Sequence, residues 1–229
     1  MDFSVIDWGL FVEGFDNTAV LVGAALAIGL AIAVPLAVVG ELGPWPLRIP
    51  VAAYTYVFRG TPLLVQMYLI YYGLGQFETV RDSAFWPILR EAYWCALIAF
   101  TLNTAAYTTV ILQGAIRGTD RGEVEAAKAC GMSWGLRMRR IVLPSAWRRA
   151  LPAYGNEVIF MLHGSAIAGV ITIIDLTGAA RLVYSQHYRP FEPFLTAAAF
   201  YLVLTFLVVG LFKLLEHRLF GHLRPRRSQ

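Results

Sequence analysis

From Thr18 to Val39 the chain carries no charged side chain. As a helix, a run of that length crosses the ~30 Å hydrocarbon core of a bilayer. Hydrocarbon offers no hydrogen bonds, so such a run has to satisfy its own backbone as a helix. Four more apolar runs follow, at about Val51–Gly73, Trp94–Ile116, Leu151–Ile174 and Phe194–Leu215. The fourth is the weakest, because Asn156, Glu157 and His163 interrupt it. Only 15% of residues are charged and 58% are hydrophobic, against about 25% charged in soluble chains. The reading is a single transmembrane domain over residues 1–229: an all-α polytopic membrane protein with five transmembrane helices.

Charge gives the direction. The N-terminal segment holds Asp2, Asp7, Glu13 and Asp16 and no Lys or Arg, which is unlike a signal peptide with its basic start. Between the third and fourth runs, residues 117–150, lie eight cations and three anions. The tail from Lys213 adds Arg218, Arg224, Arg226 and Arg227 against Glu216. Basic loops stay in the cytoplasm, so the expected topology has the N-terminus outside and the C-terminus cytoplasmic. Clustering of the positive charge in loops argues against a nucleic-acid partner. Cys95 and Cys130 have no metal-ligand spacing and are expected to stay unpaired.

The basic loop has its own pattern. Glu123–Ala129 is rich in helix formers, and Gly131 stands where a left-handed residue would end that helix. Ser133 can cap a second helix running through Trp134, Leu136, Met138 and Ile141. Pro144 either stops that helix or begins the approach to the fourth run. Ala126, Ala127, Met132 and Trp134 are expected to face a partner's groove.

Glu125-Ala126-Ala127, three residues, Gly131, nine residues, then Ile141-Val142-Leu143-Pro144 resembles the coupling loop of ABC importer permease subunits. Phe58-Arg59-Gly60-Thr61-Pro62-Leu63-Leu64-Val65-Gln66 resembles the second-span signature of polar amino acid permeases. Arg148-Arg149-Ala150-Leu151-Pro152-Ala153 with Asn156-Glu157, and Asp175 to Arg181, are similar to M-type subunits for histidine, lysine, arginine and ornithine and to their opine-transporting relatives.

The resemblance implies the type I ABC importer permease fold in a bacterial cytoplasmic (inner) membrane. It further implies a non-catalytic subunit importing polar, foremost basic, amino acids, with opines or other polar amino acids as the alternative. The implied partners are a homologous permease subunit forming a heterodimer, two ABC ATPase subunits carrying ATP and Mg, and an extracytoplasmic solute-binding protein. One departure is Met161-Leu162-His163-Gly164-Ser165-Ala166-Ile167, where many relatives carry an acidic residue at the position of Gly164. The complete substrate site then lies partly or wholly on the partner permease.

Glu157, Gln66, Asn103 and Asn156 are the candidates for the substrate path. Glu157 either counters a substrate ammonium or guanidinium, or pairs structurally with Arg148, Arg149 or Arg59. Gln66 and Asn103 either line the passage or join helices. Arg59 either snorkels toward the cytoplasm or braces the connection between the first two spans. Pro35, the Gly60-Thr61-Pro62 run, Gly155, Gly164 and Gly169 are expected to disturb their spans.

No phosphate-cradling Gly-x-x-x-x-Gly-Lys-Ser/Thr is present, nor a metal cluster or nucleophile–base pair. ATP would therefore bind elsewhere, with no cofactor on this chain. Two rivals are an ion-coupled secondary transporter, weakened by the absence of a visible inverted repeat, and a membrane-embedded enzyme, weakened by the lack of paired catalytic groups.

Overall fold

A computed structural model describes residues 3–220, and among these there is no strand. Asp2, Arg224, Arg226 and Arg227, counted in the charge pattern, lie outside the described residues. Helix α1 runs from Trp8 to Leu42, and its N-terminus is capped by Asp7, which accepts from the Leu10 N–H at 3.2 Å. It passes through Pro35 unbroken.

The expected second span is two helices, α2 (Trp45–Gly60) and α3 (Leu63–Tyr68), followed by a π-turn at Leu69–Gly73. Pro62 is the cause: it disfavours the helical conformation at the residue before it, and Thr61 is extended at φ −116°, ψ 143°. Two short helices, α4 (Glu78–Arg81) and α5 (Trp86–Leu89), lead into α6 (Ala92–Arg117). Beyond α6 come α7 (Arg121–Ala129) and α8 (Trp134–Arg137).

A π-turn at Met138–Val142 joins α8 directly to α9 (Leu143–Gly164). Pro144 sits in the first turn of α9 and starts it. Its ring cannot accommodate the carbonyl four residues back, and the wider π-turn just before it relieves that clash.

After Gly164 the expected fourth span narrows to a 3₁₀ helix, Ser165–Ile171, and then breaks at left-handed Thr172 (φ 72°). The path resumes as α10 (Leu176–His187), bent by 45° from the preceding helical run. Helix α11 occupies Phe191–Phe220. Among the described residues, α1, α6 and α11 are long and apolar enough to cross a membrane, and the bent pair makes a fourth.

The most extensive interface joins α1 to α6. It is close because Gly29 faces Thr104: a Cβ there would come within 2.5 Å of the Thr104 methyl. Helix α6 then packs on α9, and α9 on α11. Leu21, Met67, Phe100 and Ile171 fill one apolar cluster. Ala33, Leu112, Met138, Val142 and Ala146 fill a second at the α7–α8 end. Phe11, Leu176 and Val183 fill a third. Burying such side chains contributes about 1.5–3 kcal/mol each for the larger ones when the reference is water.

Candidate functional site

Helices α3, α6 and α9 line an open-sided cavity of about 520 Å3, a size that suits a small molecule. Its α9 wall is Ala153, Asn156, Glu157, Phe160, Met161 and Gly164. These positions recur every three or four residues, so they share one helix face. Asn103, Tyr107 and Ile111 of α6 form the opposite wall at a spacing of four, and Leu63 of α3 completes it. The lining is mostly apolar with few polar groups, among them Glu157.

Glu157 is 6% exposed. Its Oε1 accepts a hydrogen bond of 3.0 Å from the Thr104 hydroxyl. No salt bridge to it occurs among the described residues. The structural pairing with Arg149 is not formed, because that guanidinium is engaged by Ala115, Ser145 and Thr119. A carboxylate held in apolar surroundings without a bonded cation is costly.

Arg59 neither reaches back to brace the first connection nor pairs with Glu157. Its guanidinium carbon lies 5.3 Å from the centroid of the Tyr107 ring, in a cation–π arrangement on the cavity's own wall residue. The connection between α1 and α2 is braced by Arg48 instead, whose Nε donates to the Gly43 carbonyl at 2.6 Å.

Gln66 and Asn103 do something more specific than line a path. The break at Thr61-Pro62 leaves the last carbonyls of α2 without intrahelical donors. The Thr61 hydroxyl donates to the Val57 carbonyl at 2.8 Å. The Gln66 and Asn103 side-chain amides both donate to the Phe58 carbonyl, at 2.8 and 3.2 Å. Tyr107 donates its hydroxyl to the Arg59 carbonyl at 3.3 Å. Asn103 Nδ2 also donates to Gln66 Oε1 at 3.1 Å, tying α6 to α3. Asn103 lines the cavity, while Gln66 is buried and is not among the lining residues. Thr61 is therefore a capping residue as well as part of the break.

The polar excursion between α6 and α9 is built from α7, α8 and the π-turn. Asp120 caps α7 by accepting from the Gly122 N–H at 2.7 Å. Gly131 has φ +75°, and its N–H and that of Met132 close back on Lys128 and Ala127. Ser133 caps α8 by accepting from the Leu136 N–H at 3.4 Å. Glu125, Ala126 and Trp134 are exposed, and Met132 is half-buried. Ala127 is buried and turned into the fold, which corrects the expectation that it faces a partner. Ile141 and Leu143 are half-buried and Pro144 is exposed.

Thr104, Tyr107 and Phe160 are absent from the residues singled out in the sequence, and Met161 enters there only as part of the departing run and not as a lining residue. Phe160 and Met161 follow Glu157 at three and four residues, and that spacing alone places them beside it. Thr104 had no such signal, because a threonine on an apolar helix reads as packing. Cys95 is buried, its thiol directed at the Leu89 carbonyl, and Cys130 is exposed; neither is paired.

Comparison with known proteins adds four findings. Residues 25–221 match the family model described as binding-protein-dependent transport system inner membrane component. The octopine transport system permease protein of Rhizobium radiobacter is 51% identical over 183 residues, 80% of this chain and 75% of that protein. The histidine/lysine/arginine/ornithine transport system permease protein of Escherichia coli strain K12 is 44% identical over 180 residues, 78% and 76% of the two chains. Among solved structures, an amino acid ABC transporter with histidines superposes with a TM-score of 0.81 at 37% identity, covering 92% of this chain and 94% of its own.

Proposed function

The chain belongs to the family of binding-protein-dependent transport system inner membrane components, and on that basis we propose that it is the permease subunit of an ATP-driven importer of polar amino acids or opines. A cationic group on the substrate is the feature it selects. The observation that carries this choice is Glu157: a buried carboxylate on the wall of a ligand-sized cavity, bonded to a hydroxyl and to no cation. An ammonium or guanidinium arriving there gains a charge-assisted bond to a carboxylate that no salt bridge occupies among the described residues. The relatives named for octopine and for histidine, lysine, arginine and ornithine support the same choice.

In this reading the chain crosses a bacterial inner membrane five times. Helices α2 and α3 count as one interrupted crossing, whose freed carbonyls are bonded by Thr61, Gln66, Asn103 and Tyr107 as hydrocarbon requires. The N-terminus is outside, and residues 117–150, which carry the α7–α8 excursion and eight cations, are cytoplasmic. The excursion docks on an ATPase subunit through Glu125, Ala126, Met132 and Trp134, with Gly131 setting the turn between its helices. Met138, Val142 and Leu143 anchor it to the membrane helices.

The full assembly contains two ATPase subunits, which hold the ATP and Mg, a homologous permease and an external binding protein. No cofactor resides on this chain and it catalyses no reaction. ATP binding draws the excursions together and shifts the permease pair from inward-open to outward-open. Each nucleotide state moves the equilibrium only by its differential affinity for the two forms.

The test is uptake of labelled arginine by the complete complex in proteoliposomes. ATP-dependent accumulation requiring both the binding protein and the ATPase supports the reading. Uptake by the isolated chain, driven by an ion gradient, overturns it in favour of a secondary transporter.

A further inference from the structure

The cytoplasmic excursion leaves the membrane helices at the end of α6 and rejoins them at the start of α9. Two chain connections therefore carry whatever force α7 and α8 receive. Independent connections would let the excursion tilt about its base, and motion at the ATPase would be lost there. One side chain spans both. Arg149, on the second turn of α9, donates from Nη2 to the Thr119 hydroxyl at 2.7 Å, just before the α7 cap. Its Nη1 donates to the Ser145 hydroxyl at 2.8 Å, one turn back on α9. Its Nε donates to the Ala115 carbonyl at 3.1 Å, in the last turn of α6.

We propose that Arg149 is the positioning residue that makes the base of the excursion rigid, so that displacement of α7 and α8 moves α6 and α9 as one body. The inference rests on the transport reading above. A planar guanidinium suits the task because its donors have a fixed geometry, and because a cation is favoured beside the free carbonyls ending a helix. None of these three partners is acidic, so the group acts here as a bracket and not as an ion pair. A neighbouring contact extends the same body to α1: Arg117 at the end of α6 donates twice to the Glu41 carboxylate, at 3.0 and 2.7 Å. Arg149 reaches no part of the substrate cavity's lining, so its effect on transport runs through geometry alone.

The experiment uses the complete complex in proteoliposomes, with uptake and ATP hydrolysis read in the same vesicles. Arg149→Gln is expected to assemble and hydrolyse ATP near the unaltered level, while substrate transported per ATP falls by about five-fold or more, the lower end of ordinary coupling energies. Arg149→Lys keeps the charge without the fork and is expected to stay low. Full recovery by lysine, or an unchanged ratio in Arg149→Gln, overturns the proposal. Should Arg149→Gln fail to assemble, the double variant Thr119→Val with Ser145→Ala decides, because it keeps the arginine and removes two of its acceptors. A lowered ratio supports the bracket and an unchanged one overturns it. An unaltered complex without ATP-dependent uptake overturns the transport reading itself, and the bracket with it.

Discussion

The Thr104 hydroxyl donates to Glu157 Oε1 across 3.0 Å, linking α6 to α9 at the wall of the cavity between α3, α6 and α9. Thr104 is held there from behind by Gly29, whose missing side chain lets α1 approach. The bond orients the Glu157 carboxyl group, with its remaining acceptor capacity available to a ligand.

Thr104→Val preserves shape and removes that bond. Its expected cost to cationic substrate affinity is about 1–3 kcal/mol, the range for stranding a buried acceptor. The check is isothermal titration of arginine into the solubilised complex. Loss of affinity without loss of assembly is the expected outcome, and unchanged affinity would remove Thr104 from the site.

Gln66→Leu removes the Phe58 carbonyl's principal donor and two further bonds to Thr61, leaving those acceptors short of a partner. The complex should lose about 1–3 kcal/mol of stability, read as a lower midpoint in thermal unfolding. Because Gln66 is not a lining residue, the ratio of arginine to lysine affinity should stay where it was. A changed ratio at constant stability would instead return Gln66 to the substrate path.

Gly131→Asp places a side chain at φ +75° between the two short helices of the excursion, a conformation that costs an L-residue about 1–2 kcal/mol. The space around it is open, so the strain is local and the chain should still insert. Glu125→Lys reverses an exposed charge on the same surface. For both variants, binding-protein-stimulated ATP hydrolysis should fall while the amount of inserted permease does not. Normal stimulation in either would move the ATPase contact away from this surface.

Much of the fold is legible in the sequence. The apolar runs gave the helices, and Thr61-Pro62 marked the break in the second, because proline's constraint on its predecessor is local. Gly131 and Ser133 were likewise local signals. The partners that fill the break were not readable: Asn103 and Tyr107 lie 45 and 48 residues from the carbonyls they bond. The fate of Pro144 depended on a π-turn, which has no sequence signature of its own. Ala127 looked available because an alanine is equally at home on a helix's buried or exposed face. Arg149 sat within a motif, and Ser145 is one turn away on its own helix, but Ala115 and Thr119 lie 34 and 30 residues off and meet it only in the fold.

The central claim is that the Glu157 cavity recognises a positive charge. Arginine and citrulline have nearly the same shape, and citrulline lacks the charge. The decisive measurement is equilibrium binding of both to the solubilised complex without its binding protein, comparing the unaltered chain with Glu157→Gln. The unaltered complex should prefer arginine by about ten-fold or more, equivalent to 1.4 kcal/mol, and Glu157→Gln should bring the two ligands close to parity. An arginine preference that survives in Glu157→Gln would contradict the account.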